Sequence, residues 1–502
     1  MGCSPRRSHV VRSWPDHRPT THHAQILRQR NCVSPREITD LRFDRAGRLT
    51  ALADGALVTW DAATGRVASR SGPFPIGKPV WSSRWAVSAD CGRVFRTDSS
   101  HRFADVSDTG TGKIVWAEEG FHLGFVHAEF DQTGRRVFAA HSGRVIAFDG
   151  QSGKTLWTAT AGTGRGAVGT ALAVNPDGRS VALAGGWAAT RRAGTMGLFD
   201  AATGKPLWAG ESDGFEAVAL TFAPDGRTLY AVEAGENYTV ARVRAYSTGT
   251  GKVVTTFNVP TPLPRVAIVS PDGRTLAVAS GRHVHLLEPL TGRLRHTFIG
   301  HEGRVSALRF RPDGRVLAAA SPDAPVLLWD VYGTSADRRP LPAPDALGKG
   351  WDDLAGADAQ VAFRAVRLLA AGSDAIPVLR ERMKAVRPPD LKTVNQWVAD
   401  LSSADFATRE RASAALAKVA RLVEPELRKA REASEWPEVR QRLDAVLAHA
   451  KPAGEELRVV RAVEVVEAIG TPAAAKLLGE WAEAGGLLAQ EAKAAGKRLS
   501  GK

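Results

Sequence analysis

Through residues 38–333 short apolar runs alternate with turn-forming clusters, and past Pro344 the spacing of apolar positions lengthens from two residues to about 3.6. The segment His301 to Asp330, HEGRVSALRFRPDGRVLAAASPDAPVLLWD, shows the first regime clearly. Two strand-like runs, VSALRF and RVLAAAS, flank Arg311-Pro312-Asp313-Gly314. There Pro312 presets φ, Asp313 tolerates the corner and Gly314 supplies the φ > 0 position that returns the chain antiparallel. A third run, PVLLWD, follows. Runs such as Val181-Ala182-Leu183-Ala184 are apolar throughout, the pattern of strands covered on both faces by stacked sheets.

The turn recurs as Asp44-Arg45-Ala46-Gly47, Asp90-Cys91-Gly92, Asp131-Gln132-Thr133-Gly134, Pro176-Asp177-Gly178, Pro224-Asp225-Gly226, Pro271-Asp272-Gly273 and Pro312-Asp313-Gly314. Its glycines are 41 to 48 residues apart, and Arg follows every one. A second series keeps phase with it: Thr64-Gly65-Arg66, Thr111-Gly112-Lys113, Ser152-Gly153-Lys154, Thr203-Gly204-Lys205, Thr250-Gly251-Lys252 and Thr291-Gly292-Arg293. Self-similarity at this period, with four short strands per unit, marks a propeller blade. The expected fold is an all-β seven-bladed β-propeller over 24–333, followed by an all-α helical-repeat domain over 351–502.

Trp60-Asp61 and Trp329-Asp330, with the softer Phe148-Asp149, Phe199-Asp200 and Leu287-Glu288, resemble the end of the third strand in WD40 repeats. Gly300-His301 resembles the Gly-His that opens such a repeat. The resemblance implies a buried hydrogen-bond network in which His301, Asp323 and Trp329 take three positions, with Ala319 standing where a hydroxyl would be. Trp116, Trp157 and Trp208, each just past a Gly-Lys pair, are similar to the TGKxxW repeats of quinoprotein-type propellers, in which tryptophans dock blades together. That likeness implies an alternative, an eight-bladed quinone-dependent dehydrogenase. It would need an acidic calcium cluster and an aromatic sandwich, and the sequence displays neither. The whole arrangement also resembles bacterial WD40-repeat proteins with a helical C-terminal extension, which implies scaffolding.

Residues 1–23 are Arg-, His- and Pro-rich without periodicity and are expected to be disordered. Apolar positions return at 24–33, while the last blade runs out of chain after Asp330. The Ala24 to Arg30 segment is therefore expected to supply that blade's outer strand, covering an edge of unpaired backbone groups. Residues 334–350 read as a Pro-rich linker. Two blades carry insertions: GGWAATRRAGT, with Trp187, Arg191 and Arg192, and AGENYTVA, with Glu236 and Tyr238. Loops on one face of a propeller concentrate binding residues, and an exposed Trp beside two Arg has hot-spot composition. These five, with Arg265 and Arg304, are the candidate partner-binding residues; Trp60, Asp61, His301, Asp323, Trp329 and Asp330 are structural candidates.

Nine amphipathic helices are expected at 358–371, 373–384, 390–401, 405–419, 425–433, 437–450, 455–469, 472–484 and 487–499. Ser373, Ser403 and Thr471 are read as N-caps, Pro437 and Pro472 as first-turn prolines, Gly470 and Gly485 as stops. Short connections suggest stacked antiparallel pairs, and DLSSADFATRERASAALAKVARLVEPELRKAR resembles a HEAT-like repeat, which implies a protein-binding surface.

Composition changes this picture little. Hydrophobic content of 43% and charged content of 24% are ordinary for a globular chain. The net charge of +14 is spread over the first 37 residues and the seven turn arginines, and from Trp351 onward 24 basic residues meet 22 acidic, so nucleic acid is not the expected partner. Cys3, Cys32 and Cys91 offer neither a disulfide framework nor zinc spacing. No signal segment or apolar stretch of spanning length is visible, which places the expectation in the cytoplasm. AGTGRGAVG at 161–169 matches a phosphate loop only superficially, because a strand rather than a helix follows it. His283 and His285 share a strand face without a third ligand nearby. No nucleophile elbow, HExxH or kinase motif set occurs. The functional expectation is a monomeric, non-catalytic scaffold with protein partners, no cofactor and no metal; the second alternative is a binder of an anionic polymer.

Overall fold

A computed structural model describes residues 24–27, 38, 40–44, 46–53, 56–71, 85–97, 103–119, 125–141, 143–161, 169–185, 194–211, 213–235, 239–260, 263–322, 324–334, 344–383, 390–420, 423–449 and 454–501. The segment expected to be disordered, 1–23, lies outside them.

β1 (Ala24–Leu27) comes before blade 1 in the chain. Blade 1 is β2 (Leu41–Phe43), β3 (Leu49–Ala53), β4 (Ala56–Trp60) and β5 (Val67–Arg70). Blade 2 is β6 (Trp85–Val87), β7 (Arg93–Thr97), β8 (Phe103–Asp108) and β9 (Ile114–Glu119). Blade 3 is β10 (Phe125–Phe130), β11 (Arg136–His141), β12 (Arg144–Asp149) and β13 (Thr155–Thr160). Blade 4 is β14 (Gly169–Val174), β15 (Ser180–Gly185), β16 (Thr195–Asp200) and β17 (Pro206–Glu211). Blade 5 is β18 (Glu216–Phe222), β19 (Thr228–Ala234), β20 (Ala241–Ser247) and β21 (Val253–Asn258). Blade 6 is β22 (Pro264–Val269), β23 (Leu276–Ser280), β24 (His283–Glu288) and β25 (Arg293–Ile299). Blade 7 is β26 (Ala307–Phe310), β27 (Val316–Ser321) and β28 (Ala324–Asp330).

Each blade is an antiparallel four-stranded sheet, and the first strands of neighbouring sheets meet around a hub. Blade 7 has three strands of its own. Its fourth is β1, paired antiparallel to β28 with Ala24 opposite Trp329 and Leu27 opposite Val326. The chain thus forms a seven-bladed β-propeller whose last sheet is completed from the N-terminal side.

The two turn series lie at the same ends of the strands, forming a turn face; the second-to-third-strand loops and the interblade connections form the opposite, loop face. In the first series the corner needs a left-handed residue, and Gly47, Gly134, Gly178, Gly226, Gly273 and Gly314 supply it with φ between 67° and 76°. Blade 2 departs from the sequence reading. Cys91 rather than Gly92 takes this position, with φ 57°, its amide bonded to the Ser88 carbonyl at 2.9 Å.

The quinoprotein-type tryptophans do dock blades. Trp116 donates to the Gly150 carbonyl at 3.3 Å, Trp157 to Ala201 at 3.2 Å and Trp208 to Thr248 at 3.0 Å, each on the next blade. Their rings cover Gly153, Gly204 and Gly251, where a Cβ would lie within 3.0 Å of the indole. In blade 7 the WD-type tryptophan does the analogous work: Trp329 lies over Gly300 and stacks on Phe298 at 4.8 Å.

Among the described residues ten helices follow: α1 (Pro344–Asp353), α2 (Ala359–Leu369), α3 (Ala375–Met383), α4 (Leu391–Asp400), α5 (Phe406–Val419), α6 (Glu424–Ala433), α7 (Pro437–His449), α8 (Glu455–Ile469), α9 (Pro472–Ala482) and α10 (Gly486–Leu499). α1 corrects the expected linker, since it begins at Pro344. A proline is tolerated in a first turn, and Leu347 and Trp351 are buried in the apolar core that the helices share with the propeller. Thr471 caps α9 as expected and Gly470 ends α8 at φ 63°, but α5 is capped by Asp405, two residues after Ser403. The helices do not stack in simple chain order. α2 and α3 pack on α8 and α9, and α4 to α7 form an inserted module with an apolar core of its own around Leu416, Leu427 and Leu443. The physical reason is α8, whose residues are buried nearly all round, so that it must sit centrally rather than in a row.

Candidate functional site

The acidic residue closing the third strand of a blade normally caps its own turn. Asp61, Asp108, Asp149 and Asp200 each accept the amide and hydroxyl of the Thr or Ser three residues on. These bonds, from Thr64 first, hold the Asp61 carboxyl below the usual range. Asp330 accepts from the Gly333 amide at 2.6 Å.

Blade 6 has Glu288 instead, one methylene longer. Its carboxylate keeps the Thr291 hydroxyl at 2.7 Å but also reaches out to Arg461 of α8, which forks onto it at 2.7 and 3.0 Å and donates to the Leu354 and Gly356 carbonyls, both at 2.7 Å. Arg295 bridges Glu288 at 2.9 Å and Glu464 at 2.8 Å on both oxygens. Tyr332 donates to Glu464 at 3.2 Å, and the turn arginine Arg274 reaches Glu467 at 2.6 Å and Glu491 at 2.9 Å. Glu288, Arg295, Arg461 and Glu464 are all nearly or fully buried. Around them one apolar core runs from Phe298, Trp329 and Tyr332 into Phe363, Val463 and Trp481. The helical domain is therefore seated on the turn face of blades 6 and 7.

Burial would raise the Glu288 carboxyl, but Arg295 and Arg461 overcome it and hold it at about 2, against an ordinary 4.5. A depressed folded-state value gives stability that is present above 4.5 and is lost as the pH falls toward 2. Glu464 has the opposite sign, because complete burial pushes it up; its contribution is complete below 4.5 and cannot offset the loss. Acidification through this window is expected to loosen α8 from blade 6, read as faster amide exchange in α8; exchange independent of pH-corrected chemistry would count against it.

The hub is also charged. Asp40 accepts from Arg42 and Arg309, each at 3.3 Å, and from the Val87 amide at 3.0 Å, while Glu129 lies 4.0 Å from Arg42 and accepts from the Val174 amide at 2.9 Å. Burial works to raise Asp40, yet the two guanidiniums and the amides hold it low; burial pushes Glu129 up. Five blades, 1 to 4 and 7, are tied together across the axis by these bonds. His285 is spoken for as well: its Nδ1 meets the Thr297 hydroxyl at 3.0 Å, and burial, then His283, lowers it to about 4.

Between blades 4 and 5 a cavity of about 120 Å³ is lined by Met196, Trp208, Glu233 and Tyr246. Glu233 accepts from Arg242, Arg244 and Tyr246, and both arginines also reach Asp213. Of the candidate partner-binding residues, Trp187, Arg191, Arg192, Glu236 and Tyr238 lie outside the described residues; the strands flanking them end on the loop face. Arg265 and Arg304 are exposed on that face. Among the structural candidates, Trp60, Trp329 and His301 are buried, Asp61 and Asp330 cap turns, and Asp323 lies outside the described residues. Sequence reasoning missed the docking set. Its signal is an Arg461, Glu464, Glu467 stripe inside VVRAVEVVEAI, charges at helical spacing in an otherwise apolar helix. It also missed Phe406 and Trp436, 63% and 69% exposed, at the adjoining N-terminal ends of α5 and α7, where Arg409 meets Glu438 at 3.2 Å.

The fold and its surfaces define a seven-bladed β-propeller with a helical domain fixed to one face. Residues 292–330 match the family described as WD domain, G-beta repeat, and residues 43–257 match the family described as outer membrane protein assembly factor BamB. The chain is 37% identical over 78 residues to the Periodic tryptophan protein 2 homolog of Schizosaccharomyces pombe, 15% of this chain and 9% of that relative's length. It is 39% identical over 72 residues to the Target of rapamycin complex subunit wat1 of the same organism, 14% of this chain and 23% of the relative. It is 31% identical over 126 residues to COMPASS component SWD3 of Saccharomyces cerevisiae, 25% and 38%. The matches therefore span well under half of each relative. Chains of the Kuenenia stuttgartiensis hydrazine synthase and of a mitotic checkpoint complex superpose with TM-score 0.50 at 14% and 16% identity, covering 62% and 64% of this chain and 100% and 99% of theirs, which shows the fold alone. No helix among the described residues is long and apolar enough to cross a membrane.

Proposed function

We propose that this chain is a non-catalytic scaffold that holds protein partners on its loop face and on the aromatic end of the α4–α7 module. The observation that carries this reading is the buried Glu288–Arg461 dock. It makes propeller and helical domain one rigid platform and commits the turn face of blades 6 and 7, leaving the loop face and the inserted module turned to solvent. Similarity to proteins named as complex subunits supports it. The quinoprotein-type tryptophans dock blades, a structural role that the likeness itself implies and that requires no cofactor.

Cross-linking of the tagged full chain in its native cells tests the reading. Partner cross-links are expected on the loop face and near Trp436, and a Trp187→Ala, Arg191→Ala, Arg192→Ala variant is expected to lose at least one of them. A chain that travels alone, without cross-linked protein, would end the scaffold reading.

A further inference from the structure

We infer that Arg265, Arg282 and Arg304 form a carboxylate-binding patch that takes an acidic segment of a partner protein; this rests on the scaffold reading and gives its loop face a specific chemistry. Three chain segments converge on Gly281. Pro264 of β22 pairs with Ser280, placing Arg265 beside the β23–β24 turn. The Gly281 carbonyl accepts the Val305 amide at 2.9 Å, which brings Arg304 to the same turn, and Arg282 is the next residue. All three arginines are exposed, and none has a carboxylate partner among the described residues. Glu302, also exposed, stands in the same connection, leaving the cluster with a cationic excess. Three other arginines at this end of the blades are committed, Arg96 to Asp105 at 2.6 Å and Arg242 and Arg244 to Glu233 and Asp213, while Arg144 of blade 3 stands singly.

The residue type and its surroundings select the ligand. A guanidinium is a planar fork that matches a carboxylate on two bonds. Beside the patch Leu263 is 47% exposed and held at φ 64°, a left-handed conformation that a branched side chain adopts against its preference. An exposed aliphatic contact next to three forks fits a peptide carrying both Glu and Leu. A single-stranded nucleic acid would instead call for aromatic stacking platforms along a basic groove.

The test is fluorescence anisotropy of a labelled Glu/Leu peptide titrated with the full chain. Arg265→Ala, Arg282→Ala, Arg304→Ala together are expected to weaken binding about tenfold or more, since three exposed charge-assisted pairs are lost. Arg144→Ala, a single exposed arginine on the same face of blade 3, is expected to leave binding unchanged. Affinity should fall with added salt. Equal binding by the triple variant overturns the proposal, as does tighter binding of a single-stranded oligonucleotide of equal charge, which would make the patch a nucleic-acid site. If neither probe binds while proteins still cross-link to the loop face, the patch fails and the scaffold reading stands; if nothing cross-links, that reading fails.

Discussion

Arg461→Ala is expected to release the helical domain from the propeller, costing about 3–5 kcal/mol. The side chain is fully buried and satisfies both oxygens of Glu288 and two main-chain carbonyls. Removing it leaves Arg295 as the shared cation for Glu288 and Glu464, two carboxylates taken out of water. The loss should appear as a lower melting temperature and as amide exchange in α8 at rates far above those of the blades. A Glu288→Gln, Arg461→Met double variant is expected to recover part of the loss, because it removes the unpaired charge and restores apolar volume. If the single variant costs under about 1 kcal/mol, the ion network is not what seats the domain.

The second large effect separates two glycines with the same backbone. Gly178 and Gly204 have φ 69° and 71°, so alanine at either costs about 1 kcal/mol for the left-handed conformation. A Cβ at Gly178 meets nothing within 4 Å, whereas one at Gly204 would lie 2.6 Å from the Trp157 ring. Gly204→Ala must therefore also displace Trp157 from the Ala201 carbonyl and open the seam between blades 3 and 4, adding roughly 2–4 kcal/mol. Chemical denaturation of the two variants measures the difference. Equal losses would mean that the indole contributes nothing to holding the blades together.

Both effects turn on residues whose local role was legible in part. Gly204 belongs to the Thr-Gly-Lys series and Trp157 to the TGKxxW likeness, so blade docking by the tryptophan was anticipated, but not the glycine it covers. Glu288 was legible only as a weak form of the WD-type ending. That it reaches beyond its own turn to receive an arginine 173 residues away depends on a partner that no local pattern names. The corner at Cys91 was misplaced by one residue because glycine is the ordinary left-handed residue, and here the adjacent cysteine takes that conformation. Helix ends were legible where a side chain caps them, as at Thr471, and less so at Pro344, where a Pro-rich stretch conceals a helix stabilised by burial of Trp351.

The sequence alone determined the number of blades, their order and most helix boundaries, because turns and caps are set by a few adjacent residues. The tertiary structure decided which face the helical domain occupies, that α8 is its centre, and that Arg265, Arg282 and Arg304 meet at one turn. The reason is range: propensity and periodicity act over a few residues, whereas complementary charge and shape between distant segments exist only once the ring has closed.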